Sequence, residues 1–155
     1  MDVQIERNVI STNVIGTGVY LVVGGADPAL HRYATGNRIT GVEISENRIS
    51  IGRTRPPGFG QWHLDVGGGI VLLGGVSFSR DGRIRDVRIA KNEIKVKFEA
   101  VHGGIKVTGG MGPTARGNRV TCVRLSANHV SGTRPGVSVR SNIDAKTNYA
   151  SLSGC

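Results

Sequence analysis

The sequence predicts an all-β fold, a right-handed parallel β-helix solenoid of about three and a half coils with three short strands each. Three observations predict it. One short motif recurs four times, a second motif alternates with it, and the composition is rich in Gly yet poor in aromatics. Gly accounts for 24 of 155 residues, roughly twice the usual share of about 7%. Aromatics make up only 5%, so many short strands joined by tight turns fit better than packed helices. No window keeps apolar residues at helical spacing without a Gly interrupting it.

The first motif is V-x-[IL]-x-x-N-x-[IV]. It reads Val3-Gln-Ile5-Glu-Arg-Asn8-Val-Ile10, then Val42-Glu-Ile44-Ser-Glu-Asn47-Arg-Ile49. It returns as Val87-Arg-Ile89-Ala-Lys-Asn92-Glu-Ile94 and Val123-Arg-Leu125-Ser-Ala-Asn128-His-Val130, at spacings of 39, 45 and 36 residues. V-x-I is a strand with two β-branched residues on one, inward face. Asn8, Asn47, Asn92 and Asn128 suit sharp corners, because Asn tolerates left-handed backbone angles and bonds nearby backbone groups. Stacked in register, these asparagines can also bond one another along the stack.

The second motif supplies the third strand of each coil: Gly18-Val19-Tyr-Leu21, Gly69-Ile70-Val-Leu72, Gly104-Ile105-Lys-Val107 and Gly136-Val137-Ser-Val139. A third element precedes the Asn motif, as Gly36-Asn37-Arg-Ile39 and Gly117-Asn118-Arg-Val120, with Gly82-Arg83-Ile84 as a shortened middle copy. No coil can bury its apolar residues alone, so neighbours must stack. Unequal spacings are accommodated by corner insertions, since closure entropy grows slowly with loop length.

This alternation resembles the parallel β-helix repeat of the pectate-lyase-like superfamily over residues 2–142, leaving 143–155 as a polar tail without further repeats. The resemblance implies architecture far more than activity. Its members include polysaccharide lyases, glycoside hydrolases, uronan epimerases, tailspikes and adhesins, so function must be argued from sites. The superfamily is often extracellular, and that is the only pointer to a compartment. The start, Met1 to Glu6, lacks the basic and apolar regions of a secretory signal and begins inside a strand-like pattern. With no amphipathic capping helix evident at either end, the chain reads as part of a larger protein, a truncated reading frame, or a subunit stacking end to end. Neighbouring β-helix coils, in the same chain or in a stacked homo-oligomer, are thus expected partners.

Charge is unevenly placed. Residues 1–77 hold six basic and six acidic residues, whereas residues 78–155 hold fourteen and five and carry the whole net charge of +9. A basic half attracts anionic polymers. Nucleic acid fits poorly, because stacking aromatics are scarce and no familiar nucleic-acid motif is present. No apolar run approaches the ~20 residues of a membrane span. Cys122 and Cys155 do not make a disulfide framework, a zinc site or a redox pair at their spacing. His31, His102 and His129 sit on separate coils without metal-ligand spacing. Neither metal nor cofactor is expected.

In enzymes of the superfamily, substrate lies along one strand face. The matching outward rows here are Tyr20, Val71, Lys106 and Ser138, then Val22, Leu73, Thr108 and Arg140. Lys106 and Arg140 offer a base or a uronate partner, but neither row carries the carboxylates that a calcium-dependent lyase needs. The clustered aspartates of the hydrolases and the D-P-H-E motif of the epimerases are absent too. The most site-like stretch is the insertion from Gly52 to Gly68, with Arg53, Arg55, Trp62, His63 and Asp65. Trp62 could stack on a sugar ring and the arginines pair with its anionic groups, while the structural alternative is a loop folded over the stack. Outward rows Gln4–Glu43–Arg88–Arg124 and Arg48–Glu93–His129 are expected on the other strands.

Three functions stay open. The preferred one is a non-catalytic module that binds anionic polysaccharide. The alternatives are a lyase or epimerase fragment with Lys106 or Arg140 near the chemistry, and a structural spacer.

Overall fold

The computed structural model describes residues 3–24, 33–54, 67–97, 103–133, 135–143, 147–153 and 155. The described residues form strands and turns, with no helix among them. In chain order the strands are β1 (Val3–Glu6), β2 (Val9–Val14), β3 (Thr17–Val22), β4 (Ala34–Thr35), β5 (Arg38–Ser45), β6 (Arg48–Thr54), β7 (Gly68–Leu73) and β8 (Ser79–Arg80). They continue as β9 (Arg83–Ala90), β10 (Glu93–Val96), β11 (Ile105–Met111), β12 (Arg119–Val120), β13 (Val123–Ser126), β14 (His129–Ser131), β15 (Val137–Ile143) and β16 (Tyr149–Ala150).

These strands make four sheets. The first runs β1-β5-β9-β12-β16 with β13 also on β9, the second β2-β6-β10-β14, the third β3-β7-β11-β15, and a small fourth sheet pairs β4 with β8. Strand pairing is parallel throughout. On each pass the chain visits first, second and third sheets in the same order, an arrangement compatible with a β-helix.

Register follows the repeat. Val3 pairs with Val42 and Val42 with Val87, while Ile5, Ile44, Ile89 and Leu125 form the next inward row. Inward positions from all three main sheets meet in one core, where Ile44, Ile51, Ile70, Leu72, Ile89, Ile94, Ile105 and Val107 have no exposed surface. Burying each such side chain is worth about 1.5–3 kcal/mol, which only stacking makes available to strands this short.

The corners work differently from the sequence expectation. Asn8, Asn47, Asn92 and Asn128 are not the left-handed residues. The residue before each takes that role: Arg7 (φ 54°), Glu46 (56°), Lys91 (55°) and Ala127 (53°). A non-Gly residue there costs about 1–2 kcal/mol. The asparagines offset it by forming a ladder. The backbone N–H and Nδ2 of Asn47 both donate to Asn92 Oδ1, at 3.0 and 2.9 Å. The same pair of bonds links Asn8 to Asn47 and Asn92 to Asn128. The amides of Asn47, Asn92 and Asn128 also reach a strand carbonyl of the neighbouring rung, as Asn92 Nδ2 does at Ile44 O, 2.9 Å.

A second ladder marks the third sequence element. Gly82 N–H donates to Asn118 Oδ1, and Asn118 N–H and Nδ2 donate to Asn148 Oδ1. Asn148 lies in the stretch read as a tail without repeats. That reading is corrected, since β16 pairs with β12 in register, Arg119 with Tyr149 and Val120 with Ala150. The signal was weak because Asn148-Tyr149-Ala150 keeps only the Asn and a small apolar residue of the motif. The cysteines are also corrected: Cys122 and Cys155 form a disulfide across 33 residues. Spacing could not show it, because stacking brings the last residue beside the bend at Cys122.

Close packing explains Gly18, Gly69 and Gly104, the Gly of the motif at the first three third-sheet strands. A Cβ on Gly69 would collide with Ile94 Cγ2, and on Gly18 and Gly104 with Ile49 and Val130. Those three occupy one inward register of the second sheet, so the corner closes only without a side chain there.

Candidate functional site

The third-sheet rows align as the repeat predicts. Tyr20, Val71, Lys106 and Ser138 share one row, and Val22, Leu73, Thr108 and Arg140 the next. Yet the middle of this face is closed. Val71 and Leu73 are 2% exposed, Lys106 1% and Thr108 6%, so four positions expected to meet a substrate are covered. The chemistry of the rows explains it, since two adjacent apolar residues facing outward favour burial. Arg140 is exposed on the outermost third-sheet strand, one rung and two residues from Lys106, so the two cations do not meet on an open face. Partial burial pushes the Tyr20 hydroxyl up to about 12, which leaves it protonated at neutral pH.

Of the insertion residues, Arg55, Trp62, His63 and Asp65 lie outside the described residues. Arg53 falls in β6, and its side chain lies outside them too. Among the described residues no three His, Cys, Asp or Glu side chains cluster as metal ligands would.

The outer face of the first sheet is polar and open. Its row Gln4–Glu43–Arg88–Arg124 forms as expected, with Arg88 Nη1 3.2 Å from Glu43 Oε1. A shallow depression of about 230 Å³ lies against Val3, Gln4, Gly41, Val42, Glu43, Asp86 and Arg88. Its charges are already satisfied: Arg85 Nε is 2.9 Å from Asp86, and Thr40 donates to the same carboxylate. The second-sheet row Arg48–Glu93–His129 also forms, with Arg48 Nε 3.5 Å from Glu93.

A row of cations without ion pairs among the described residues lies further back along the same strands. Arg38, Arg83 and Arg119 stack in register along the first sheet, with Tyr149 in the next position. All three arginines are exposed and none pairs with a carboxylate among the described residues. Parallel strands place their Cα atoms about 4.8 Å apart. Round the adjacent corner, Thr35, Arg80 and Arg116 form a parallel row. Arg80 lies over the Tyr33 ring at 4.6 Å, and Tyr33 is tilted against Phe78 at 5.7 Å. This stacking holds one guanidinium in place. The corner between the rows passes through Gly36, Asp81 and Gly117, all with positive φ, and carries Asp81 as its single acidic side chain. Five arginines therefore flank one corner.

Sequence reasoning missed this cluster. The signal was present as Thr35-Gly-Asn-Arg38, Arg80-Asp-Gly-Arg83 and Arg116-Gly-Asn-Arg119, an arginine recurring on each side of one corner.

Chemically, two rows of guanidinium groups at rung spacing form a fixed positive stripe. Neighbouring cations repel by roughly 1 kcal/mol in water at such separations, and an anion lying along the stripe turns that repulsion into attraction. No family model, curated protein or solved structure matches the chain.

Proposed function

We propose that the chain is a segment of right-handed parallel β-helix that recognises an extended anionic polysaccharide along its arginine-lined corner, without catalysing a reaction on it. One observation carries the reading: Arg38, Arg83 and Arg119 stack in register, exposed and without carboxylate partners among the described residues. A β-helix presents such a row as a straight track, so a polymer lying along the stack meets one guanidinium per rung. Each fork offers paired donors to a carboxylate or sulfate. The handedness rests on the strong preference of parallel β crossovers for the right hand, and the superfamily resemblance points the same way. The lyase alternative is weakened at Lys106, which at 1% exposure cannot reach a polymer.

The test is binding of polyuronate, heparin-like and neutral glycans at low and moderate salt, with ultraviolet detection of unsaturated uronate. Binding to the anionic polymers should fall steeply as salt rises. Each of Arg38→Ala, Arg83→Ala and Arg119→Ala should weaken it about threefold to tenfold, on the scale of one charge-assisted hydrogen bond discounted for exposure. Arg48→Ala, whose side chain already pairs with Glu93, should leave it unchanged. Salt-insensitive binding, equal binding of neutral glycans, or a triple arginine variant that binds like wild type would overturn the reading. Unsaturated product would establish a lyase instead.

A further inference from the structure

We propose that the Cys122–Cys155 disulfide is a redox-operated latch holding the β16 rung of the first sheet onto the stack. The inference is independent of the polysaccharide reading. It starts from how little else holds that rung. Strand β16 is two residues long, and Ala150 is its one buried apolar side chain among the described residues. Beside the short β12–β16 pairing, backbone bonds tie the segment down from Tyr149 N–H to Asn118 O, Ser151 N–H to Val120 O, and Cys122 N–H to Ser153 O. The Asn118–Asn148 ladder adds side-chain bonds. Beneath the rung lie Asn118 and Val120, both fully buried, and Cys122 at 1% exposure.

The two sulfurs differ in access. Cys122 belongs to the buried bend, whereas Cys155 is exposed. A dithiol reductant therefore attacks at Cys155. Its thiolate forms a mixed disulfide with the Cys155 sulfur, the Cys122–Cys155 bond breaks, and the electron pair leaves on Cys122 sulfur, which takes a proton. The second thiol of the reductant then attacks the mixed disulfide, releasing Cys155 as a thiol and closing the reductant to its own disulfide. With the cross-link gone, the rung is held by a two-residue strand whose one buried apolar side chain among the described residues is Ala150, so residues 147–153 open while the rungs below stay folded. The latch is shut in an oxidising compartment and opens in a reducing one.

Residue-resolved amide exchange on the whole chain, with and without dithiothreitol, tests the latch. Two pairs of neighbouring amides separate local opening from global change. Asn118 N–H and Cys122 N–H donate to the β16 rung, at Asn148 Oδ1 and Ser153 O. Arg119 N–H and Thr121 N–H donate to the rung below, at Gly82 O and Ile84 O. On reduction the first pair should exchange at least tenfold faster while the second pair is unchanged. Cys155→Ser, which removes the bond at its exposed end, should give the same pattern without reductant. Equal protection of all four amides after reduction would overturn the proposal, as would their loss together, which would make the bond a general staple.

Discussion

Replacing Asn92 by Ala should be among the most damaging polar substitutions in the chain. Asn92 is 1% exposed. Its Oδ1 accepts from Asn47 N–H at 3.0 Å and Asn47 Nδ2 at 2.9 Å. Its Nδ2 donates to Ile44 O, Ala90 O and Asn128 Oδ1 at 2.9, 3.1 and 2.9 Å. Each bond contributes about 0.5–1.5 kcal/mol net, and a buried donor left without an acceptor costs about 1–3 kcal/mol. The side chain's five contacts share two amide hydrogens and one oxygen, so an expected loss of about 3–5 kcal/mol follows. That is a large part of the about 5–15 kcal/mol that holds a typical domain together. Asn8 provides the control. It occupies the exposed end of the same ladder, and among the described residues its side chain makes one bond, to Asn47 Oδ1 at 3.1 Å. Asn47 Oδ1 keeps the Asn8 backbone N–H in either case, so Asn8→Ala should cost about 1 kcal/mol or less. Urea unfolding of the three proteins, with midpoints compared at equal slope, measures both. If Asn92→Ala and Asn8→Ala fall within about 1 kcal/mol of each other, the ladder is not a buried, cooperative support and the account of the corners is wrong.

Gly69→Ala should cost about 1–3 kcal/mol by overpacking, because the added methyl meets Ile94 Cγ2 and lies 3.0 Å from Gly104 O. Gly16→Ala, where the methyl meets nothing within 4 Å, should melt close to wild type, and equal melting of both would refute the close approach. At Glu46, hydrogen bonds from Arg7 and then Lys91, with their charges, hold the carboxyl below its ordinary 4.5. A lowered value means that its small stabilising contribution is present above 4.5 and fades as pH falls through the folded value. Arg7→Ala should move its carbon-detected NMR titration back toward 4.5, and an unmoved curve would remove Arg7 as the cause.

The sequence by itself determined the strands, their parallel register and the inward rows. A motif that repeats V-x-I and N-x-I can satisfy its alternation only if like residues stack on like, so Val42 over Val3 and Asn47 over Asn8 were legible without coordinates. The Gly of the third-sheet motif was legible as a repeat, but the reason at Gly18, Gly69 and Gly104, the methyl of Ile49, Ile94 or Val130, exists only once the second and third sheets meet. Tertiary structure decided what lies outside the strands. Alternation says that Val71 and Lys106 point away from the core, yet whether that face stays open depends on what packs over it, and these residues are buried. Placement of the left-handed angle at Arg7, Glu46, Lys91 and Ala127 followed from corner geometry, which residue propensities alone would have assigned to Asn. The Cys122–Cys155 bond and the β16 rung depended on contacts across 33 and 30 residues. The arginine corner came from three separated four-residue segments whose proximity is invisible until stacking aligns them. Local chemistry specifies each rung, whereas proximity between distant segments is a property of the assembled stack.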